Sequence, residues 1–151
     1  MAAFFGNASH TLDPKGRATI PAAYRDALGS SFTIGLNYSD SAIVLYPKEK
    51  WDKISQDLSR IPESDAKGMR YVLKIAGFSF VGCDLDAQGR VLLPASLRAR
   101  AHISKNICFV GAVNHLEIWD EDRYNSEIDS YQSDKDDLMQ YVNDRYFSDH
   151  Q

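Results

Sequence analysis

Two short stretches of this chain carry the same five-residue pattern, Asp13-Pro14-Lys15-Gly16-Arg17 and Asp86-Ala87-Gln88-Gly89-Arg90. An aspartate followed three residues later by glycine, then arginine, suits a tight turn. The carboxylate can accept backbone N–H groups across the turn or pair with the arginine, and either interaction fixes the loop. Glycine supplies the φ > 0 position that other residues resist. An arginine just after it can project outward, and its planar fork suits phosphate oxygens or the acceptor edge of guanine. Asp13, Gly16, Asp86 and Gly89 are therefore read as loop-organising residues, and Arg17 and Arg90 as polyanion contacts. Lys15 adds a charge to the first loop. Gln88 stands at the matching place in the second, where it can hydrogen-bond a base or a sugar.

The two loops are part of a longer internal duplication. Leu12–Arg17 lies over Leu85–Arg90 at an offset of 73 residues. At that offset Pro21-Ala22 meets Pro94-Ala95, Arg25 meets Arg98, Leu28 meets Ala101 and Ile34 meets Ile107. Ile43-Val44-Leu45-Tyr46 meets Leu116-Glu117-Ile118-Trp119, and Trp51 meets Tyr124, without a gap. Repeats at a fixed period signal a duplicated structural unit. Arg25 and Arg98 fall on the short helix of each copy, where a surface or packing ion pair is the plainest role. Arg60, Lys67, Arg70 and Lys74 dress helix surfaces and carry little signal.

Each copy needs the same elements to hold its loop. A strand is expected over Ala8 to Leu12 and Val81 to Leu85, and a second over Ala18-Thr19-Ile20 and Val91-Leu92-Leu93. Pro21 and Pro94 stop those strands and suit the first turn of short helices, Ala22–Leu28 and Ala95–Ala101. Strands follow at Phe32–Leu36, Ala42–Tyr46, Asn106–Val110 and His115–Trp119, and helices at Lys48–Arg60 and Glu121–Ser130. Between the copies, Ile61-Pro62-Glu63-Ser64 breaks the chain and caps a helix whose apolar face is Met69, Val72, Leu73 and Ala76, ending at Gly77. A last helix is expected over Asp134–Tyr146. The domain plan is thus a first repeat at 5–60, a linking helix at 61–77, a second repeat at 78–131, and a C-terminal helix and tail at 132–151. β-rich units this short do not bury a two-faced sheet alone. They should pack into one pseudo-twofold, barrel-like core of the α+β class.

The bulk composition suits a globular chain, 44% hydrophobic and 25% charged. No apolar run reaches the roughly 20 residues of a membrane span, and the opening Met1-Ala2-Ala3-Phe4-Phe5-Gly6 lacks a secretory pattern. Cys83 and Cys108 form no Cys-x-x-Cys pair and read as small core hydrophobes in a cytoplasmic protein. The net charge of −4 argues against a polyanion partner until its distribution is considered. Residues 120–151 hold ten acids and three bases, a net of −7, whereas residues 1–119 hold eleven acids and fourteen bases, a net of +3. Local field decides where a polyanion docks.

An enzyme is a poor fit. His10 with Asp13, or Asp84 with Asp86, could serve as acid–base partners, but no nucleophile motif and no phosphate-binding glycine loop occurs. His10, His102, His115 and His150 have no metal-ligand spacing. Neither cofactor nor metal is expected.

The duplicated Leu-Asp-x-x-Gly-Arg, the Pro-Ala after each second strand, Leu45-Tyr46-Pro47 leading to Trp51, and Glu117-Ile118-Trp119 together resemble the MraZ family, over Phe5 to about Phe147. Ala2-Ala3 near the start depart from the family's pattern. The resemblance implies a swapped-hairpin barrel related to AbrB-type regulators, with peripheral helices, and a ring-shaped homo-oligomer. It implies a nucleoid-associated protein that binds double-stranded DNA at direct repeats in the promoter of the division and cell-wall gene cluster. It also implies that Arg17 and Arg90 take part in DNA binding. Two other readings stay open: an antitoxin-type interaction module, whose terminal tail proteases would clip at once, and a ring scaffold that binds no DNA.

Overall fold

The computed structural model describes residues 3–148. Among the described residues, eight strands and five α-helices follow one another, in two compact units that divide after Asp120.

In the first unit the duplication governs the order of elements. The first copy contributes β1 (Asn7–Thr11), β2 (Arg17–Thr19), α1 (Ala22–Leu28), β3 (Phe32–Leu36), β4 (Ile43–Pro47) and α2 (Lys48–Ser59). After α3 (Ala66–Gly77), the second contributes β5 (Phe80–Cys83), β6 (Arg90–Leu92), α4 (Ala95–Arg100), β7 (Asn106–Gly111) and β8 (Leu116–Asp120). Pro21 and Pro94, both at φ −55° with extended ψ, follow β2 and β6 and stand at the N-caps of α1 and α4, one residue before the first turn.

Strands are exchanged between the copies. A six-stranded antiparallel sheet runs β1-β7-β8-β4-β3-β5, so the first strand of each copy pairs with the third strand of the other. β2 and β6 form a separate two-stranded ribbon. The expected barrel is not closed: β1 and β5 are the two edges of the open sheet. The β3–β5 pairing is also irregular, shifting register between Phe32 and Ile34, where β1–β7 runs evenly.

A pseudo-twofold relation is readable in the registers. In the ribbon, Ala18 pairs with its own repeat equivalent, Val91; in the sheet, Val44 pairs with its equivalent, Glu117. The flanking pairs, Arg17 with Leu92 and Thr19 with Arg90, interchange under the same relation. Ala18 and Val91 turn inward and are buried with Ile20, Leu28, Ile34, Leu45, Leu93, Leu97, Ile107, Phe109, Leu116 and Ile118 in one core. Both copies feed that core through one face of the ribbon, as period-2 alternation requires. The opposite face is left to solvent.

Three sequence expectations are corrected in the helices. The N-cap of α3 is Asp65, whose side chain accepts the Gly68 N–H at 2.9 Å, rather than the Glu63-Ser64 pair. Its half-buried apolar side chains are Met69, Val72 and Ile75, while Leu73 and Ala76 are exposed. The second unit is one continuous helix, α5 (Glu121–Val142), closed by a π-helical turn at Asn143–Phe147. The separate helices expected over Glu121–Ser130 and Asp134–Tyr146 are therefore a single element. No residue of α5 is buried, and Ile128, Tyr131, Leu138, Met139 and Tyr141 are exposed. Residues 149–151 of the expected tail, with His150, and Ala2 at the start lie outside the described residues. Among those residues no helix is long and apolar enough to cross a membrane.

Candidate nucleic-acid interface

Both Asp-x-x-Gly-Arg stretches fold into the same turn, bond for bond. In the first, Asp13 N–H donates to the Arg17 carbonyl at 3.0 Å and Gly16 N–H to the Asp13 carbonyl at 3.0 Å. Asp13 Oδ1 accepts the N–H groups of Lys15 and Arg17, each at 2.9 Å, and Oδ2 accepts Arg17 Nε–H. In the second, Asp86 N–H donates to the Arg90 carbonyl at 3.0 Å and Gly89 N–H to the Asp86 carbonyl at 2.9 Å. Asp86 Oδ1 accepts from Gln88 and Arg90 N–H at 3.0 and 2.8 Å, and Oδ2 from Arg90 Nε–H at 2.9 Å. Gly16 and Gly89 sit at φ +86° and +77°, the region that favours glycine.

The arginines therefore do not swing free, as an outward projection from the turn would have it. Each is tied to its aspartate through Nε, with its side chain 30% exposed. Nε is the inner edge of the fork, so pairing there orients the guanidinium and leaves the Nη edge for other acceptors. Around Arg17 no further partner is found among the described residues, whereas Arg90 Nη2 donates to Gln88 Oε1 at 3.3 Å. Gln88 thus braces its neighbouring arginine. Lys15, its counterpart, is exposed.

Backbone N–H donation from Arg17 and Arg90 is the leading cause that holds the Asp13 and Asp86 carboxyls below their ordinary value of 3.8, with the Arg side chains adding to it. A depressed carboxyl contributes stability that is complete above the unfolded value and is lost as pH falls through the folded one. Both turns should accordingly stay intact at pH 5 and loosen only below about pH 3.8. Carboxyl carbon chemical shifts followed by NMR should show both groups titrating below that value; titration at or above it would contradict the geometry.

Pairing of β2 with β6 brings the turns together. Arg17 and Thr19 share the solvent face of β2, and Arg90 and Leu92 share the same face of β6. Arg17 stands opposite Leu92, so Arg17 and Arg90 are diagonal neighbours, about 7–8 Å apart along the ribbon. Gly16 and Gly89 carbonyls accept Leu93 and Ile20 N–H at 3.0 and 2.9 Å, so each turn is stitched to the other copy's strand.

Arg25 and Arg98 complete the arrangement in a way the repeat offset flags without explaining. Neither forms the ion pair expected of it among the described residues. Arg25 Nε instead donates to the Ile20 carbonyl at 2.7 Å, and Arg98 Nε to the Leu93 carbonyl at 3.0 Å. Their guanidinium groups then lie against the glycine of the opposite copy, Arg25 over Gly89 and Arg98 over Gly16. Sequence recurrence marks these residues, but their partner follows only from the strand pairing that carries each helix to the other copy's turn. Lys15, Arg17, Arg25, Arg90 and Arg98 outnumber Asp13 and Asp86 among the side chains of the two turns and the arginines laid against them.

Fold and site define an internally duplicated α+β protein that presents two aspartate-anchored arginines on one solvent-facing ribbon. A sequence model of the family described as "MraZ protein, putative antitoxin-like" matches residues 3–71 and 81–140. The transcriptional regulator MraZ of Pediococcus pentosaceus is 34% identical over 141 residues, covering 93% of this chain and 97% of that protein. That of Limosilactobacillus fermentum is 38% identical over 138 residues, covering 89% and 93%. The chain belongs to the MraZ family. Its relatives carry the name of a regulator, not of an enzyme.

Proposed function

We propose that this protein is a cytoplasmic, nucleoid-associated transcriptional regulator that binds double-stranded DNA through its two Asp-x-x-Gly-Arg turns. One observation carries the reading: Arg17 and Arg90, each fixed by its own aspartate, stand on the single exposed face of a two-stranded ribbon. A ribbon of this kind is one of the two elements the major groove admits. Guanidinium groups held by carboxylates are pre-organised to receive phosphate oxygens or guanine acceptors with little ordering cost. The names of the relatives support regulation of transcription. On this reading the two AbrB-like repeats, at 5–60 and 78–131, exchange strands in the swapped-hairpin manner, joined by the segment at 61–77. Residues 132–151, including the exposed apolar side chains Leu138, Met139 and Tyr141, serve self-assembly into a ring-shaped homo-oligomer. The ring then engages direct repeats in the promoter of the division and cell-wall gene cluster.

A single protomer offers few cations, and a few phosphate contacts give weak, salt-sensitive binding. Several protomers on successive repeats gain effective concentration, which can raise avidity by roughly 10²–10⁴ without a new contact. Fluorescence anisotropy with fragments carrying one, two or three direct repeats should therefore show affinity climbing steeply with repeat number. Equal affinity for one repeat and for three would rule out the multivalent reading.

A further inference from the structure

Between the two arginines the ribbon exposes an inequivalent pair. Thr19 and Leu92 occupy the same position in their repeats, 73 residues apart, and interchange under the pseudo-twofold relation. Both point to solvent on the face that carries Arg17 and Arg90, and Leu92 is 57% exposed. Leu92 lies directly opposite Arg17, and Thr19 directly opposite Arg90. The inward-facing neighbours Ala18 and Val91 supply the ribbon's share of the core, so folding makes no demand for a leucine at 92.

We propose that Leu92 is a specificity-determining residue that packs on the C5-methyl group of a thymine in the major groove, and that Thr19 makes the corresponding side of the footprint different. The proposal rests on the DNA-binding reading above. Its warrant is the combination of surroundings and chemistry. Flanking guanidinium groups would draw this face against the polyanion, and a ribbon inserted by its face brings positions 19 and 92 to the floor of the groove. The only apolar group the major-groove edge presents is the thymine methyl. A leucine there gains from that methyl and gains little from cytosine or a purine. Threonine, with one methyl and one hydroxyl, serves less selectively. Two nearly symmetric turns would in this way read an unsymmetric sequence, and successive protomers would favour direct over inverted repeats.

The test uses the full chain and a duplex amplified from the region upstream of its own gene, prepared once with thymidine and once with deoxyuridine, which lacks only the methyl. Wild type, Leu92→Thr, Leu92→Ala and Arg17→Ala/Arg90→Ala are titrated against both duplexes, with oligomeric state followed by light scattering. Burying one methyl is worth about fourfold in affinity. Wild type should bind the thymidine duplex about fourfold tighter, or more where several protomers bind, and Leu92→Thr and Leu92→Ala should lose most of that preference. A preference that survives both substitutions overturns the assignment of Leu92, as does a loss of affinity that is equal on both duplexes. If wild type binds neither duplex, or the double arginine variant binds as wild type does, the DNA-binding reading itself falls. Leu92→Thr copies the residue at the equivalent exposed position of the first repeat, so the fold should tolerate it.

Discussion

Replacing Arg17 and Arg90 together by alanine should weaken binding to the upstream promoter fragment by at least about thirtyfold, with the fold and the oligomeric state unchanged. A well-made bidentate arginine contact contributes about 1–3 kcal/mol, so losing two costs about 2–6 kcal/mol per protomer, and each 1.4 kcal/mol is tenfold. The loss has a second source. Asp13 and Asp86 would remain on the turns without their paired cations, and their carboxylates would face the phosphates. The bonds that Asp13 and Asp86 Oδ1 accept from the turn N–H groups do not need the arginine side chains, so both turns should keep their shape. Residual binding should show a salt dependence reduced by about 0.9 for each phosphate contact removed. Anisotropy at several salt concentrations, with light scattering on the variant, measures all three. Wild-type affinity in the variant would exclude these residues from the interface.

The second large effect concerns stability. Gly89→Ala should lower the free energy of unfolding by roughly 2–5 kcal/mol, which for a chain of this size is a fall in Tm of roughly 5–15 °C. Alanine at φ +77° costs about 1–2 kcal/mol in backbone conformation. Its Cβ would also run into the Arg25 guanidinium, with Nε at 2.7 Å and other atoms nearer. Arg25 must then give up its bond to the Ile20 carbonyl, and a bond from a charged donor is worth about 1.5–3 kcal/mol. Calorimetry on the purified variant checks the figure. An unchanged Tm would mean that Arg25 does not brace the opposite turn.

The turns are legible in the amino-acid sequence because their chemistry is local. Asp13 and Asp86 bond to N–H groups within four residues, and the glycine directly after Lys15 or Gln88 announces the positive φ. The offset of 73 likewise places the strands and short helices, since each repeat supports the other's pattern of apolar alternation and proline stops. What the sequence hides depends on contacts between distant parts. That Arg25 covers Gly89, and not a carboxylate, follows from the pairing of β2 with β6 and from nothing near residue 25. The open sheet is similarly a matter of which edges meet: β1 and β5 each satisfy one neighbour and no more. In α5, Asp134 resembles a fresh N-cap after a polar stretch, but residues 121–142 contain neither proline nor glycine to interrupt the helix. Polar sequence without a breaker simply continues the helix, with none of its residues buried.

The most direct test of DNA reading by this ribbon is a titration of the wild-type protein against the native upstream fragment and a scrambled fragment of equal length and composition, at physiological salt. Specific complexes of this kind bind roughly 10³-fold or more tighter than nonspecific ones. A preference of that order for the native fragment is the predicted result. Equal affinity for the two fragments, or binding to neither, would contradict the account and leave the ribbon face to another partner.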